Sequence, residues 1–151
     1  MTFKLNKRTM LAIEAVLDVA FHARPDPVQA REITKRQKIP SRYLEQVMQQ
    51  LVHTNILKGV RGPRGGYILG QERRKITLGD IIRVVETVDL DMEPEKLMGS
   101  ELGIQVVAPV WHELNEVIYE HLSKITLEDL CVKAELVGIG RSVQNIGEYT
   151  I

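Results

Sequence analysis

The stretch SRYLEQVMQQLVHT begins with five side chains that can form hydrogen bonds, Ser41, Arg42, Tyr43, Glu45 and Gln46. Glutamine can pair with adenine, arginine with guanine or a phosphate, and glutamate can accept a hydrogen bond from cytosine. The tyrosine has two interpretations, since its hydroxyl can bind a phosphate and its ring can pack on a core. On a helix, Arg42, Glu45 and Gln46 share a face with Gln49, which predicts a polar outer surface that can form hydrogen bonds.

The second candidate for chemistry is the stretch VRGPRGGYILG, in which Arg61 and Arg64 flank Pro63 and are followed by Gly65 and Gly66. Glycines permit a tight turn and a close backbone approach, and proline stiffens the loop. A narrow DNA minor groove has an enhanced negative potential that attracts arginines on such a tip. The alternative is a solvent-exposed turn with incidental arginines.

Charge is distributed very unevenly along a chain whose net charge is zero. Residues 1–75 hold 15 Lys and Arg against 6 Asp and Glu, a net of +9, and residues 76–151 hold 5 against 14, a net of −9. The first half is therefore expected to bind a polyanion. Solvated faces that differ by chance are the alternative.

Other chemistry finds little support. A single cysteine, Cys131, excludes an intramolecular disulfide framework and any all-cysteine metal or cluster site within one chain. Its apolar neighbours favour a buried thiol, with redox sensing as the alternative. His112 and His121 are nine residues apart, on opposite faces of a predicted helix, so they form no one-helix metal site. No nucleophile motif, P-loop or paired carboxylates indicate an enzyme.

No apolar run is long enough to span a membrane, and the N-terminal residues lack an apolar signal core. The expected location is therefore the cytoplasm.

The elements that must position these residues follow from apolar spacing. Helices are predicted at 9–23, 29–37 and 41–54, and a hairpin is predicted from ILKGV and GYILG. A short helix, a turn, a second helix with a polar outer face and a hairpin predict a winged helix-turn-helix, although any αα-hairpin shares part of this pattern. The buried face of the third helix is expected to hold Leu44, Val47, Met48 and Leu51.

The second half predicts a different organisation. A further helix begins at ITLGD, and ITLED repeats the same capping-box spacing at 125–129. An acidic linker is expected at 88–104, with one helical turn near 93–98, before a helix at 105–125. That helix has an apolar seam with spacings of 4, 3, 4, 3 and 4, typical of helix pairing with a second subunit, although packing on its own domain is the alternative. The seam comprises Val107, Trp111, Leu114, Ile118, His121 and Ile125.

The expected domain division is a DNA-binding domain at 1–87, the linker at 88–104, a dimerisation helix with a following short helix at 105–137, and an extended tail at 138–151. The fold class is mainly α with a small β-hairpin wing.

Residues 3–87 resemble the Rrf2 family of bacterial transcription regulators, through LNKRTMLAIEAVLDVA, EITKRQKIPSRYLEQVMQQL, VRGPRGGYILG and ITLGDIIRVVE. The resemblance implies a homodimer, expected to be a repressor, that binds a palindromic operator. It implies that the start of the helix at 41–54 enters the major groove, where the DNA is contacted by Ser41, Arg42, Tyr43, Glu45 and Gln46. It also implies that Arg61 is the wing arginine, and Lys7 and Arg8 are expected to hold backbone phosphates.

The resemblance also has a departure. Many members of the family carry three cysteines in the linker and bind an iron–sulfur cluster, whereas residues 88–104 contain none. The chain therefore resembles the cluster-free branch, and no cofactor is expected. The alternative function is a regulator that acts mainly by complexing with a metabolic enzyme.

Overall fold

A computed structural model of the chain describes residues 6–23, 25–86 and 94–140. Two antiparallel strands accompany the helices, β1 (Leu57–Val60) and β2 (Gly66–Leu69). The helices are α1 (Lys7–His22), α2 (Ala30–Gln37), α3 (Ser41–His53), α4 (Leu78–Glu86), α5 (Pro94–Leu97), α6 (Ala108–Leu122) and α7 (Leu127–Leu136). The predicted class, mainly α with a hairpin wing, is confirmed.

The core forms around α1, which has small or branched apolar residues on its inner face. Ala12, Ala15, Val16 and Val19 are all fully buried. Small side chains let neighbouring helices approach α1 closely, so α3, α4 and α7 all contribute to the same apolar cluster. These four helices thus share one continuous hydrophobic core.

A buried ion pair joins α1 to α2. The carboxylate of Asp18 accepts bonds from Nε and Nη2 of Arg36 at 2.9 and 2.8 Å, and from Nε2 of Gln37 at 2.7 Å. The Asp18 side chain is fully buried. The hydrogen bond to Asp18, together with the charge of that carboxylate, raises the pKa of the Arg36 guanidinium above its ordinary value. This contact fixes the orientation of α2 before the chain turns into α3.

The repeated ITL segments pair with each other. The N–H of Leu78 donates to the carbonyl of Ile125, and the N–H of Leu127 donates to the carbonyl of Ile76, both at 2.9 Å. Capping boxes form at Thr77 and at Thr126, as the spacing predicts. The starts of α4 and α7 are therefore held side by side.

The long C-terminal helix begins earlier than the sequence predicts. Residues 101 and 102 are already helical, inside the range 88–104 expected as linker, and a π-helical turn at Gly103–Val107 precedes α6. Pro109 explains the wide turn, because it has no N–H and its ring clashes with a carbonyl four residues earlier. The N–H of Ala108 instead bonds the carbonyl of Gly103, five residues before it.

Two side-chain contacts attach the faces of α4 and α5 to α6. The Tyr119 hydroxyl donates to Oε2 of Glu86 at 2.6 Å, and Nε2 of His112 lies 2.5 Å from Oε1 of Glu95. The hydrogen bond with His112 lowers the pKa of Glu95. In the described ranges, no helix is both long enough and apolar enough to cross a bilayer.

Of the expected helical turn at 93–98, residues Pro94–Leu97 are helical. Residues 87–93 and 141–151 lie outside the described residues, and with them part of the predicted linker and most of the predicted tail.

Candidate nucleic-acid interface

The helix α3 has a buried face and an exposed face. Its apolar face lies in the core, with Leu44, Val47, Met48 and Leu51 at most 2% exposed. Its other face carries the polar side chains predicted from the sequence, since Ser41, Arg42, Glu45 and Gln46 are exposed. Arg42 and Gln46 are four residues apart, so they lie one above the other on that face. These hydrogen-bonding groups are available to a ligand.

The start of α3 is open because Pro40 occupies its N-cap and no side chain caps the helix. The carbonyl of Pro40 accepts bonds from the N–H groups of Tyr43 and Leu44. The positive end of the helix dipole thus lies beside Arg42, an arrangement that favours a nearby phosphate.

Tyr43 and Arg8 are partly buried and lie together. The Tyr43 ring packs against the core, and the guanidinium carbon of Arg8 lies 6.0 Å from the ring centroid. The Nη2 of Arg8 also donates to Oε1 of Gln50 at 3.2 Å. Arg8 is therefore attached to α3, whereas Lys7 beside it is exposed.

The wing tip is a tight turn at residues 62–65. The N–H of Gly65 donates to the carbonyl of Gly62 at 2.9 Å, and Pro63 occupies the position in the turn that its fixed φ favours. Gly62 has a φ of +111°, a backbone angle that residues other than glycine rarely adopt. Arg61, Pro63 and Arg64 are all exposed around this turn.

Glycine is required where the wing packs closely on other backbone. A Cβ at Gly65 would lie 2.2 Å from the carbonyl oxygen of Val60, and one at Gly66 would lie 2.4 Å from that of Val28. The segment before α2 pairs with the wing, since Val28 and Tyr67 exchange two backbone hydrogen bonds of 2.9 and 2.7 Å. The wing is thus joined to the start of the helix-turn-helix as well as to the end of α3.

A contact that the sequence does not reveal lies at this junction. The Nε2 of Gln29 lies 3.5 Å from the carbonyl oxygen of Pro63, and its Oε1 accepts a 2.6 Å bond from Nε of Arg31. Glu32 caps the backbone N–H of Gln29, and no sequence signal indicates that this helix start meets the wing.

The predicted dimer seam lies at or near α6, and its members differ in exposure. Val107, Trp111 and Leu114 are 50%, 40% and 47% exposed. His121 is exposed, whereas Ile118 is half-buried. Ile125 lies beyond the end of α6 and its carbonyl bonds α4, so its place is beside α4 rather than on the helical face. Val110 and Val117 add exposed apolar surface to the same helix.

Cys131 is 1% exposed and belongs to the hydrophobic core cluster. Its burial favours the interpretation of a structural thiol over that of a redox sensor.

The chain matches a protein-family model over residues 5–133, that of Rrf2, described as an iron-dependent transcriptional regulator. A curated relative from Pectobacterium carotovorum, the HTH-type transcriptional regulator IscR, is 33% identical over 141 residues. The match covers 90% of this chain and 84% of the relative.

Solved structures show the same likeness. T. potens IscR superposes with a TM-score of 0.76 at 32% identity, over 96% of this chain and 98% of that chain. CymR (YrzC), named the global cysteine regulator of B. subtilis, superposes with a TM-score of 0.69 at 28% identity, over 87% of this chain and 98% of its own.

The family description names iron, but the donors in this chain do not fit a cysteine-held iron centre. The chain contains one cysteine, and that thiol is buried in the core cluster. Among the described residues, no three His, Cys, Asp or Glu side chains converge as metal ligands would.

The matched relatives are named as regulators rather than enzymes, and the fold of this chain superposes on theirs. The resemblance noted in the sequence is thereby confirmed, and the chain belongs to the Rrf2 family of DNA-binding transcriptional regulators.

Proposed function

We propose that the protein is a homodimeric, sequence-specific regulator that binds a palindromic operator. The start of α3 enters the major groove and the wing tip contacts the adjacent minor groove. The observation that carries this proposal is the rigid wing turn, which presents Arg61 and Arg64 from a backbone joined to both ends of the helix-turn-helix.

Within each half-site, the proposed roles follow from side-chain chemistry. Gln46 pairs with adenine, Glu45 accepts from cytosine, and Arg42 pairs with guanine or binds a phosphate. Ser41 and Lys7 add contacts to the DNA backbone. The half-buried Tyr43 and Arg8 orient α3 and remain close enough to its start to reach a phosphate.

Dimerisation through α6 is supported by its exposed apolar side chains, since a monomer gains nothing by leaving them in water. A two-fold dimer requires an inverted-repeat operator, with half-sites separated by about one or more helical turns of DNA. We further propose repression, because an occupied operator excludes other proteins from the same DNA. No feature of the described residues singles out a metabolic enzyme as a partner.

The test uses Gln46→Ala and Arg61→Ala in equilibrium binding to the operator. Each variant is expected to lose about 1–3 kcal/mol of binding free energy, and Gln46→Ala is expected to relax the preference at one base position. Arg74→Ala is the matched control, because Arg74 is exposed and its Nε is bound to Glu72 at 2.6 Å. Operator binding by both variants at wild-type strength would show that the protein binds DNA through another surface.

A further inference from the structure

A basic side chain outside the predicted interface lies beside the wing. Arg31 is exposed in the first turn of α2, and its Nε donates to Oε1 of Gln29 at 2.6 Å. The amide nitrogen of the same glutamine lies 3.5 Å from the carbonyl oxygen of Pro63. One amide side chain therefore separates the Arg31 guanidinium from the turn that carries Arg61 and Arg64.

The backbone of Gln29 is held beside the wing. Its backbone N–H donates to Oε2 of Glu32 at 2.8 Å, which forms the start of α2. Its neighbour Val28 is paired with Tyr67 of β2 through both backbone hydrogen bonds. The side chain that binds the Arg31 guanidinium is therefore carried by a stretch of backbone that is paired with the wing.

The arginines of the N-terminal half can be sorted by their partners. Arg36, Arg73 and Arg74 each bind a carboxylate within 2.9 Å. Arg8 donates to Gln50, and within the part of the chain that the structure describes no carboxylate pairs with it or with Arg31, Arg42, Arg61 or Arg64. The last three belong to the proposed DNA interface, Arg42 on α3 and Arg61 and Arg64 on the wing. Arg31 groups with them both by its lack of a carboxylate and by its contact with Gln29.

We propose that Arg31 is a further DNA-contacting residue, which binds a backbone phosphate beside the wing, and that Gln29 is its positioning residue. The inference rests on the proposed function. With Nε bound to Gln29, the guanidinium keeps its two Nη groups for the oxygens of one phosphate, an arrangement that a planar fork favours. A phosphate contact here sets the register of the wing in its groove without reading sequence.

The first test measures binding of Arg31→Ala as a function of salt, on the operator and on a duplex of random sequence. We expect about tenfold weaker binding to both duplexes. We also expect the slope of log affinity against log salt concentration to fall in magnitude by about 1 for each protomer bound. Arg74→Ala, which removes the same charge from a carboxylate-paired site, should leave the slope unchanged. An unchanged slope in Arg31→Ala overturns the proposal.

The second test combines Gln29→Met with Arg31→Ala in a double-mutant cycle, since methionine keeps the length of the side chain and removes its hydrogen bonds. Gln29→Met should weaken binding by about threefold to tenfold in the wild-type background and have no further effect in Arg31→Ala. The same loss in both backgrounds would refute the positioning role. Thermal unfolding of each variant separates this result from a loss of fold.

The two proposals fail differently. A wild-type protein that binds no duplex in a salt-dependent manner contradicts the proposed function itself. A wild type that binds normally, with Arg31→Ala unchanged, contradicts the assignment of Arg31 alone.

Discussion

At the scale of single residues, Asp18 is the side chain on which the orientation of the helix-turn-helix depends. Its carboxylate is fully buried and takes three hydrogen bonds from Arg36 and Gln37 at the end of α2. Because the Arg36 side chain is 26% exposed, solvent compensates part of its charge if the carboxylate is lost.

We expect Asp18→Asn to lower the free energy of unfolding by about 2–3 kcal/mol, because it leaves a half-buried guanidinium without its counter-charge. Urea denaturation followed by circular dichroism measures the change. Glu14→Gln, an exposed substitution on the same helix, is the control and should shift the midpoint little. Equal stability of the two variants would contradict the role of Asp18.

Tyr119 gives a pH-dependent prediction. Burial, followed by the hydrogen bond to Glu86, raises the pKa of Tyr119 from its ordinary value of 10.0 to about 12. A raised pKa means that the folded state favours the protonated phenol, so this contribution to stability is complete below pH 10 and is lost as the pH rises toward about 12. Ultraviolet titration should show a late-ionising phenol, and Tyr119→Phe should remove that component. A titration curve that keeps the same late component in Tyr119→Phe would contradict the contact.

The polar residues of α3 could be predicted from the sequence, whereas the partners of the cations could not. Helical spacing determines which residues face away from Leu44 and Leu51, so the exposure of Arg42 and Gln46 followed directly. Arg31 and Arg36 lie on the same short helix and look alike in sequence. Only the packing of α2 on α1 brings Arg36 to Asp18 and leaves Arg31 beside the wing.

At the scale of elements, the wing is the part most sensitive to added volume. Gly66 packs against the backbone of Val28, where a Cβ would approach a carbonyl oxygen to 2.4 Å. Gly59, on the opposite strand of the hairpin, has open space around its Cβ position.

Gly66→Ala is expected to cost about 1–3 kcal/mol of stability, because the wing must separate from the start of α2 to accommodate the methyl group. Operator affinity should fall with it, since the wing arginines lose their fixed position. Gly59→Ala, measured in the same thermal and binding assays, should change stability by less than about 1 kcal/mol. Two variants that behave alike would show that the contact with Val28 does not anchor the wing.

Element positions were largely predictable, and the exceptions have physical causes. The predicted N-terminal helices and hairpin agree with the observed ones because apolar spacing and turn residues determine them locally. The earlier start of the C-terminal helix was missed because Gly99, Gly103 and Pro109 are signals for a loop. The chain instead accommodates Pro109 with a π turn, which no local sequence pattern indicates.

At the scale of the whole molecule, the proposed recognition of an inverted repeat requires two copies of the chain. A dimer binds its operator more tightly because it occupies two half-sites at once. Loss of the dimer therefore lowers operator affinity far more than loss of any single contact. The exposed apolar residues of α6 are the surface proposed to join the copies.

Leu114→Glu is expected to yield a monomer, because it places a charge at the centre of the proposed seam. Sedimentation velocity should show the change, and operator affinity should fall by about two orders of magnitude or more. Leu136→Glu is the matched control, since Leu136 is 81% exposed on α7 and lies outside the seam. A Leu114→Glu protein that remains dimeric would place the interface elsewhere.

The most direct test of the central claim is selection of DNA fragments by the purified protein at moderate salt, followed by sequencing. The wild type is expected to enrich an inverted repeat. Gln46→Ala should relax one symmetric pair of positions, and Arg61→Ala should weaken enrichment throughout. Enrichment of no sequence by the wild type, or the same enriched sequence at the same strength from all three proteins, would contradict recognition through α3 and the wing.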